Sequence, residues 1–174
     1  MEAILNSHNK KINNEIEPIK STCNCSDIND CPLNGQCLRD NIVYQAEVST
    51  TQTPKEKKIY IGSTKRPFKR RYKEHLSSFE GKRAGTKLTK HIQELKEKGR
   101  KYNIKWKVIN YSRQSLPSIK FCTLCNLERL EIARAEKRCL LNSRNELVTQ
   151  CVHNPNLYFR CINLPSAISA DEKT

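Results

Sequence analysis

An α+β domain with a small three-stranded antiparallel sheet flanked by helices is what this 174-residue sequence predicts. Three observations carry the expectation. Two short runs rich in β-branched and aromatic residues lie close together near one third of the chain. Amphipathic helical patterns follow them. A further alternating run separates the second helical pattern from the third, giving the order strand, strand, helix, helix, strand, helix.

The first strand is read as Ile42–Val48 (IVYQAEV) and the second as Lys58–Ser63 (KIYIGS). The polar linker between them contains Pro54, as a hairpin loop would. A helix is expected from about Pro67 to Phe79, because Pro67 suits a first turn and Phe68, Tyr72, Leu76 and Phe79 recur on one apolar stripe. Thr86 is a plausible N-cap for a second helix, Lys87–Lys98, closed by Gly99. Ile104–Asn110 (IKWKVIN) alternates charged and apolar residues as an edge strand does. Cys122–Leu140 reads as a third helix with Leu127, Leu130, Ile132, Ala133 and Ala135 as its apolar positions.

The flanks have a different character. Residues 1–22 and 163–174 lack pattern and are expected to be flexible tails. Residues 23–40 are cysteine-rich with few apolar anchors, so they need a staple rather than a core. The N-terminus lacks an apolar core and a small-residue cleavage site, so no secretory signal is read there, and no run approaches twenty apolar residues. No membrane partner is expected.

Charge is concentrated. Between Lys55 and Lys107 there are 19 Lys/Arg against 5 Asp/Glu, an excess equal to the whole chain's net +14. A solvated basic face is the plain account. A polyanion footprint is the sharper one, because Lys and Arg displace the counterions condensed on nucleic acid. Within it, Lys65, Arg66, Lys69, Arg70, Lys87, Lys90 and His91 are the expected DNA contacts.

Nine cysteines with no leader point to metal rather than disulfides. Cys23, Cys25, Cys31 and Cys37 place four thiols in fifteen residues, and one zinc held by all four is the simplest account. Cys122, Cys125, Cys151 and His153 form a second possible set. A rival partition joins Cys31 and Cys37 with Cys122 and Cys125, and spacing alone leaves both open. One or two structural zinc ions are expected. Cys139 and Cys161 are left over as ordinary thiols.

Four further features bear on chemistry. Tyr44 and Tyr60 sit on the two strands, where tyrosine also favours packing, and Gly62 invites close backbone approach. Arg71 and His75 share one helix face, suited to gripping a phosphate. Glu128, in an otherwise apolar helix, is a candidate ligand for a hard cation, with Glu131 competing. Asn142 and Asn145, in LLNSRNEL, could bond backbone or phosphate.

Taken in order and spacing, VYQAEV, YIGSTKRPFKRRYKEH, the glutamate-bearing helix and LLN resemble the GIY-YIG nuclease superfamily over residues 41–145. With the flanking CPLNGQCL, TKLTKHIQELK, CTLCNLE and CVH, the chain is similar to the endonuclease domain of Penelope-like retroelements. Ile42 departs from the glycine of the family name, a change that subgroup tolerates. The resemblance implies an endonuclease domain over residues 41–162, with Tyr60 beside the attacking water and Tyr44 its partner. Arg71 and His75 would lie at the scissile phosphate, Glu128 would bind one Mg²⁺ or Mn²⁺, and Asn142 would stand near the site. It also implies a nuclear protein that nicks DNA to supply a 3′ hydroxyl, with a reverse transcriptase and its RNA as partners. A zinc-stabilised DNA-binding module with a degenerate nuclease site is the rival. A tyrosine base requires cations to lower its pKa, and His75 is the alternative base if it titrates near neutrality.

Overall fold

The computed structural model describes residues 23–51, 57–81, 85–112, 122–143 and 151. Its strands are β1 (Ile42–Thr50), β2 (Lys57–Thr64) and β3 (Tyr102–Tyr111), and its helices are α1 (Phe68–Glu80), α2 (Lys87–Glu97) and α3 (Thr123–Arg134). The sheet is antiparallel in the order β2-β1-β3, so β1 is central. The expected α+β architecture is present.

Strand alternation decides what each face holds. Ile42, Tyr44, Ala46 and Val48 of β1, with Tyr60 of β2, point into a core closed by Phe68 and Phe79 of α1 and by Leu88, Ile92 and Leu95 of α2. Val43 and Ile61 point the other way, into a second cluster with Leu124, Cys125 and Ile132 of α3. The sheet is therefore sandwiched, with α1 and α2 on one face and α3 on the other. A bulge in β3 adjusts this arrangement. Val43 pairs with Asn110 but Tyr44 pairs with Val108, leaving Ile109 as the extra residue, which packs into the α3 cluster.

Two helices differ from the sequence reading. On α1 the buried face is Phe68, His75 and Phe79, while Leu76 is 42% exposed. Seven residues make nearly two full turns, so position 75 falls beneath Phe68 and position 76 lies about 100° further round. α3 stops at Arg134 rather than Leu140. The residues beyond it cover the outer edge of β2: Ile59 N donates to Cys139 O at 2.7 Å, Leu141 N donates to Ile59 O at 2.7 Å, and Ile59 bridges Leu140 in parallel. An edge strand with unmet backbone groups outcompetes a longer helix here. α2 matches closely, with Thr86 accepting from Thr89 N at 3.3 Å and Gly99 at φ +61° beyond its end.

The cysteine-rich segment docks on the start of α1. Asn34 and Gly35, both at positive φ, form a tight turn closed by Gln36 N donating to Leu33 O at 3.1 Å. Leu33 enters the main core. Pro67 at the N-cap has no side chain to offer α1, and main-chain carbonyls of this segment take that part: Phe68 N donates to Arg39 O at 2.9 Å and Lys69 N to Cys37 O at 2.6 Å.

Candidate active site and metal centres

Gly62 opens the space from which the site is built. It pairs with Tyr44 across β1 and β2, and a Cβ there would lie 2.6 Å from Tyr44 Oη and 3.0 Å from the Tyr60 ring. Only glycine lets the Tyr44 ring lie across β2, and the expected close approach is met. Tyr44 is fully buried, while Tyr60 keeps 7% exposure.

α1 delivers the other groups. Arg71 Nε donates to Tyr44 Oη at 3.1 Å, and Tyr44 Oη lies 2.8 Å from His75 Nε2. His75 is 2% exposed, with its ring close to those of Tyr44, Tyr60 and Trp106. Burial, aided by the Arg71 cation, pushes the His75 pKa down to about 3. The imidazole is therefore neutral across the physiological range, which corrects the expectation of a histidine base titrating near neutrality. Burial likewise pushes the Tyr44 phenol up to about 12; Arg71 opposes this without overcoming it, and Glu128 and Glu74 add to it. Arg71, for its part, loses solvation, yet its interactions with Tyr44, Glu74 and Tyr60 hold its pKa above the ordinary value. With Tyr44 protonated and His75 neutral, a consistent chain runs from Arg71 Nε–H to Tyr44 Oη–H to His75 Nε2.

Glu74 escaped the sequence reading. Its carboxylate accepts from Arg71 Nη1 at 3.1 Å and pairs with Arg66 Nη2 at 2.6 Å, bridging two of the cations nearest the site. A Glu three residues after an Arg on a helix was the available signal. Ser63 was missed too. Its Oγ donates to Glu128 Oε2 at 2.8 Å. Glu128 lies on α3, across the sheet from α1, and reaches the Tyr44 group electrostatically. Glu131 is engaged elsewhere, accepting from Asn110 Nδ2 at 3.2 Å and lying 3.6 Å from Arg134. Asn142 applies both ends of its amide to the Ile61 backbone, accepting from N and donating to O at 2.8 Å each. It holds the strand that carries Tyr60 and Gly62.

The basic residues are dispersed around this centre. Lys65, Arg70, Lys87 and Lys90 are exposed, and Arg66 is partly so beside Glu74. Lys69 Nζ is drawn to Asn24 Oδ1 at 2.7 Å and to Cys25 Sγ at 3.6 Å. Arg70, with Lys73, Glu74, Ser77 and Ser78, lines a cleft along α1 that ends at Gly81 and Gly85. His91 is half-buried, and burial lowers its pKa.

Cys23, Cys25, Cys31 and Cys37 bring their sulfurs within 4.8 Å of one another, and Cys122, Cys125 and Cys151 do the same at the N-terminus of α3. Individual separations are 3.7 Å (Cys25–Cys37), 3.5 Å (Cys37–Cys23) and 3.6 Å (Cys125–Cys151). These are too long for a disulfide and close to the edge, about 3.8 Å, of a thiolate tetrahedron around a zinc with bonds of ~2.3 Å. Each set could hold a zinc ion. The rival partition is excluded, because Cys31 and Cys37 converge with Cys23 and Cys25 and not with Cys122. His153 and Cys161 lie outside the described residues. Cys139 is half-buried and outside both sets. Burial raises the Cys31 thiol, but hydrogen bonds from the Leu33 and Gly35 backbones and neighbouring thiols outweigh it and bring it down to about 6. Cys37, buried among the other three, is pushed up to about 12. Four crowded thiolates need a cation to coexist.

Compared with family models, curated proteins and solved structures, the chain matches none.

Proposed function

We propose that this chain is a DNA endonuclease of the GIY-YIG type, hydrolysing a phosphodiester bond with one Mg²⁺ or Mn²⁺ while zinc in the two cysteine sets holds the structure. The observation that carries the reading is the buried chain Arg71–Tyr44–His75, at 3.1 and 2.8 Å, assembled from a strand and a helix. Arg71 and His75 lie inside the most basic segment of the sequence, which supports a nucleic-acid substrate.

Arg71 offers its remaining donors to the non-bridging phosphoryl oxygens, held in place by Tyr44 and Glu74. Tyr44 retains its proton and acts as an orienting group. Tyr60, acting as a phenolate beside the Arg71 cation, takes the proton of the attacking water as that oxygen bonds to phosphorus. The bond from phosphorus to the 3′ oxygen breaks, and the 3′ oxygen takes a proton from solvent water as it leaves, giving a 3′ hydroxyl and a 5′ phosphate. The Glu128 carboxylate, a hard oxygen donor, would hold the divalent ion, which supplies Lewis-acid stabilisation of the developing charge. The 3′ hydroxyl suits priming of a retroelement's reverse transcriptase on its RNA, in the nucleus.

Supercoiled plasmid tests this. Incubation with Mg²⁺ or Mn²⁺ should yield relaxed circles that DNA ligase reseals, Glu128→Ala should bind DNA without nicking it, and Tyr60→Phe should lose nicking with its fold intact. DNA binding without cleavage in either metal would favour the degenerate DNA-binding module instead.

A further inference from the structure

We propose that Ser63 is a positioning residue for the metal-binding carboxylate: its hydroxyl fixes Glu128 in the orientation that receives a divalent cation. The inference rests on the reading of Glu128 as the metal ligand. A glutamate side chain has three rotatable bonds, and a lone carboxylate on a helix surface samples many orientations. The Ser63 Oγ–Glu128 Oε2 bond of 2.8 Å selects one of them.

Ser63 can do this because of its strand position. β2 alternates, so Tyr60 and Gly62 face α1 and the Tyr44 group, whereas Ile61 and Ser63 face α3. Adjacent residues Gly62 and Ser63 thereby serve the two halves of one site: the glycine makes room for Tyr44, and the serine steers Glu128. A purely structural role is separable. α3 is docked independently by Leu124, Cys125 and Ile132 and by the Asn110–Glu131 bond of 3.2 Å, so removing the Ser63 hydroxyl leaves the helix in place.

The test is a Mn²⁺ titration of the zinc-loaded, DNA-free protein followed by electron paramagnetic resonance, alongside plasmid nicking as a function of Mg²⁺. Ser63→Ala should weaken the Glu128-dependent Mn²⁺ binding by about tenfold or more, the scale for losing a hydrogen-bond partner of a metal ligand. It should raise the Mg²⁺ concentration for half-maximal nicking by a similar factor. Ser63→Thr should restore most of both, and Asn110→Ala, which removes the Asn110–Glu131 bond between strand and helix, should change neither. Wild-type Mn²⁺ affinity in Ser63→Ala, or an equal loss in Asn110→Ala, overturns the inference. A wild type that binds Mn²⁺ through Glu128 yet nicks nothing sinks the nuclease reading and leaves the Ser63 role standing. Mn²⁺ binding unchanged by Glu128→Ala removes both.

Discussion

The Arg71 guanidinium divides its donors between Tyr44 Oη through Nε and Glu74 through Nη1, each at 3.1 Å. Glu74 in turn holds Arg66 at 2.6 Å, so one carboxylate restrains two cations that an incoming phosphate would meet. These ion pairs are partly exposed and each contributes little to stability. On the proposed reading their effect is on DNA binding. Glu74→Gln should tighten DNA binding a few-fold by removing a competing anion, while turnover falls because Arg71 loses its alignment. Fluorescence anisotropy and single-turnover nicking would separate the two, and weaker binding in Glu74→Gln would show that the carboxylate organises the grip rather than competing for it. His75 yields a second prediction. Its folded pKa of about 3 lies below the unfolded value near 6.5, so the unfolded chain binds a proton first as pH falls. The neutral ring's contribution is complete above about pH 6.5 and drains away towards pH 3, amounting to about 2 kcal/mol lost by pH 5. Urea unfolding at pH 7.5 and 5 should show a steeper loss in wild type than in His75→Gln, which does not titrate; equal slopes would mean His75 is protonated in the folded protein. The sequence placed Arg71 and His75 on one helix face. It could not show that His75 goes beneath Phe68 into the core, because an ionisable residue within an apolar stripe reads as its boundary until the packing is seen.

Elements were legible in proportion to how locally they are determined. α2 carries its own Thr86 cap and its own stripe, and it was read almost to the residue. α3 was overextended by six residues because its end is set by a distant partner, the open edge of β2, which Cys139–Leu141 covers. α1 was placed correctly, but the origin of its cap was hidden, since the carbonyls of Cys37 and Arg39 come from thirty residues upstream. That cap links the cysteine set to α1 two residues before Arg71. Losing two such backbone bonds costs about 1 kcal/mol each, and zinc binding free energy is folding free energy for the segment that supplies them. Cys31→Ser should therefore lower the zinc content by about one ion per chain. It should also speed amide exchange at Phe68 and Lys69 along with residues 23–39, whereas Cys139→Ser should do neither. Full exchange protection in zinc-depleted protein would show that the segment is held by Leu33 and the Arg39–Tyr111 contact alone.

At the scale of the molecule, the sandwich turns one basic segment of sequence into two basic surfaces. Arg70, Lys87 and Lys90 are exposed on the α1–α2 side, while Lys105 and Lys107 are exposed on the other face of the sheet, because β3 sends Ile104, Trp106 and Val108 inward between them. The sequence revealed the size of the surplus but not this division, which depends on the side to which β3 docks. The Arg71–Tyr44–His75 chain lies on the α1 side, so the proposed nuclease reading predicts a duplex running along the α1–α2 surface. Each phosphate neutralised by a lysine releases counterions and adds about 0.9 to the slope of log K against log salt for duplex DNA. Lys87→Ala and Lys90→Ala should each flatten that slope by up to about one unit, uniformly across DNA sequences, since phosphate contacts carry no base information. Lys105→Ala and Lys107→Ala should leave it unchanged if their strand faces away from the duplex, serving instead to keep an edge strand from pairing with another chain. The reverse pattern, with the slope lost at Lys105 and Lys107, would place the DNA across the α3 side, where Glu128 is closer than Arg71, and the phosphate role of Arg71 would fall with it.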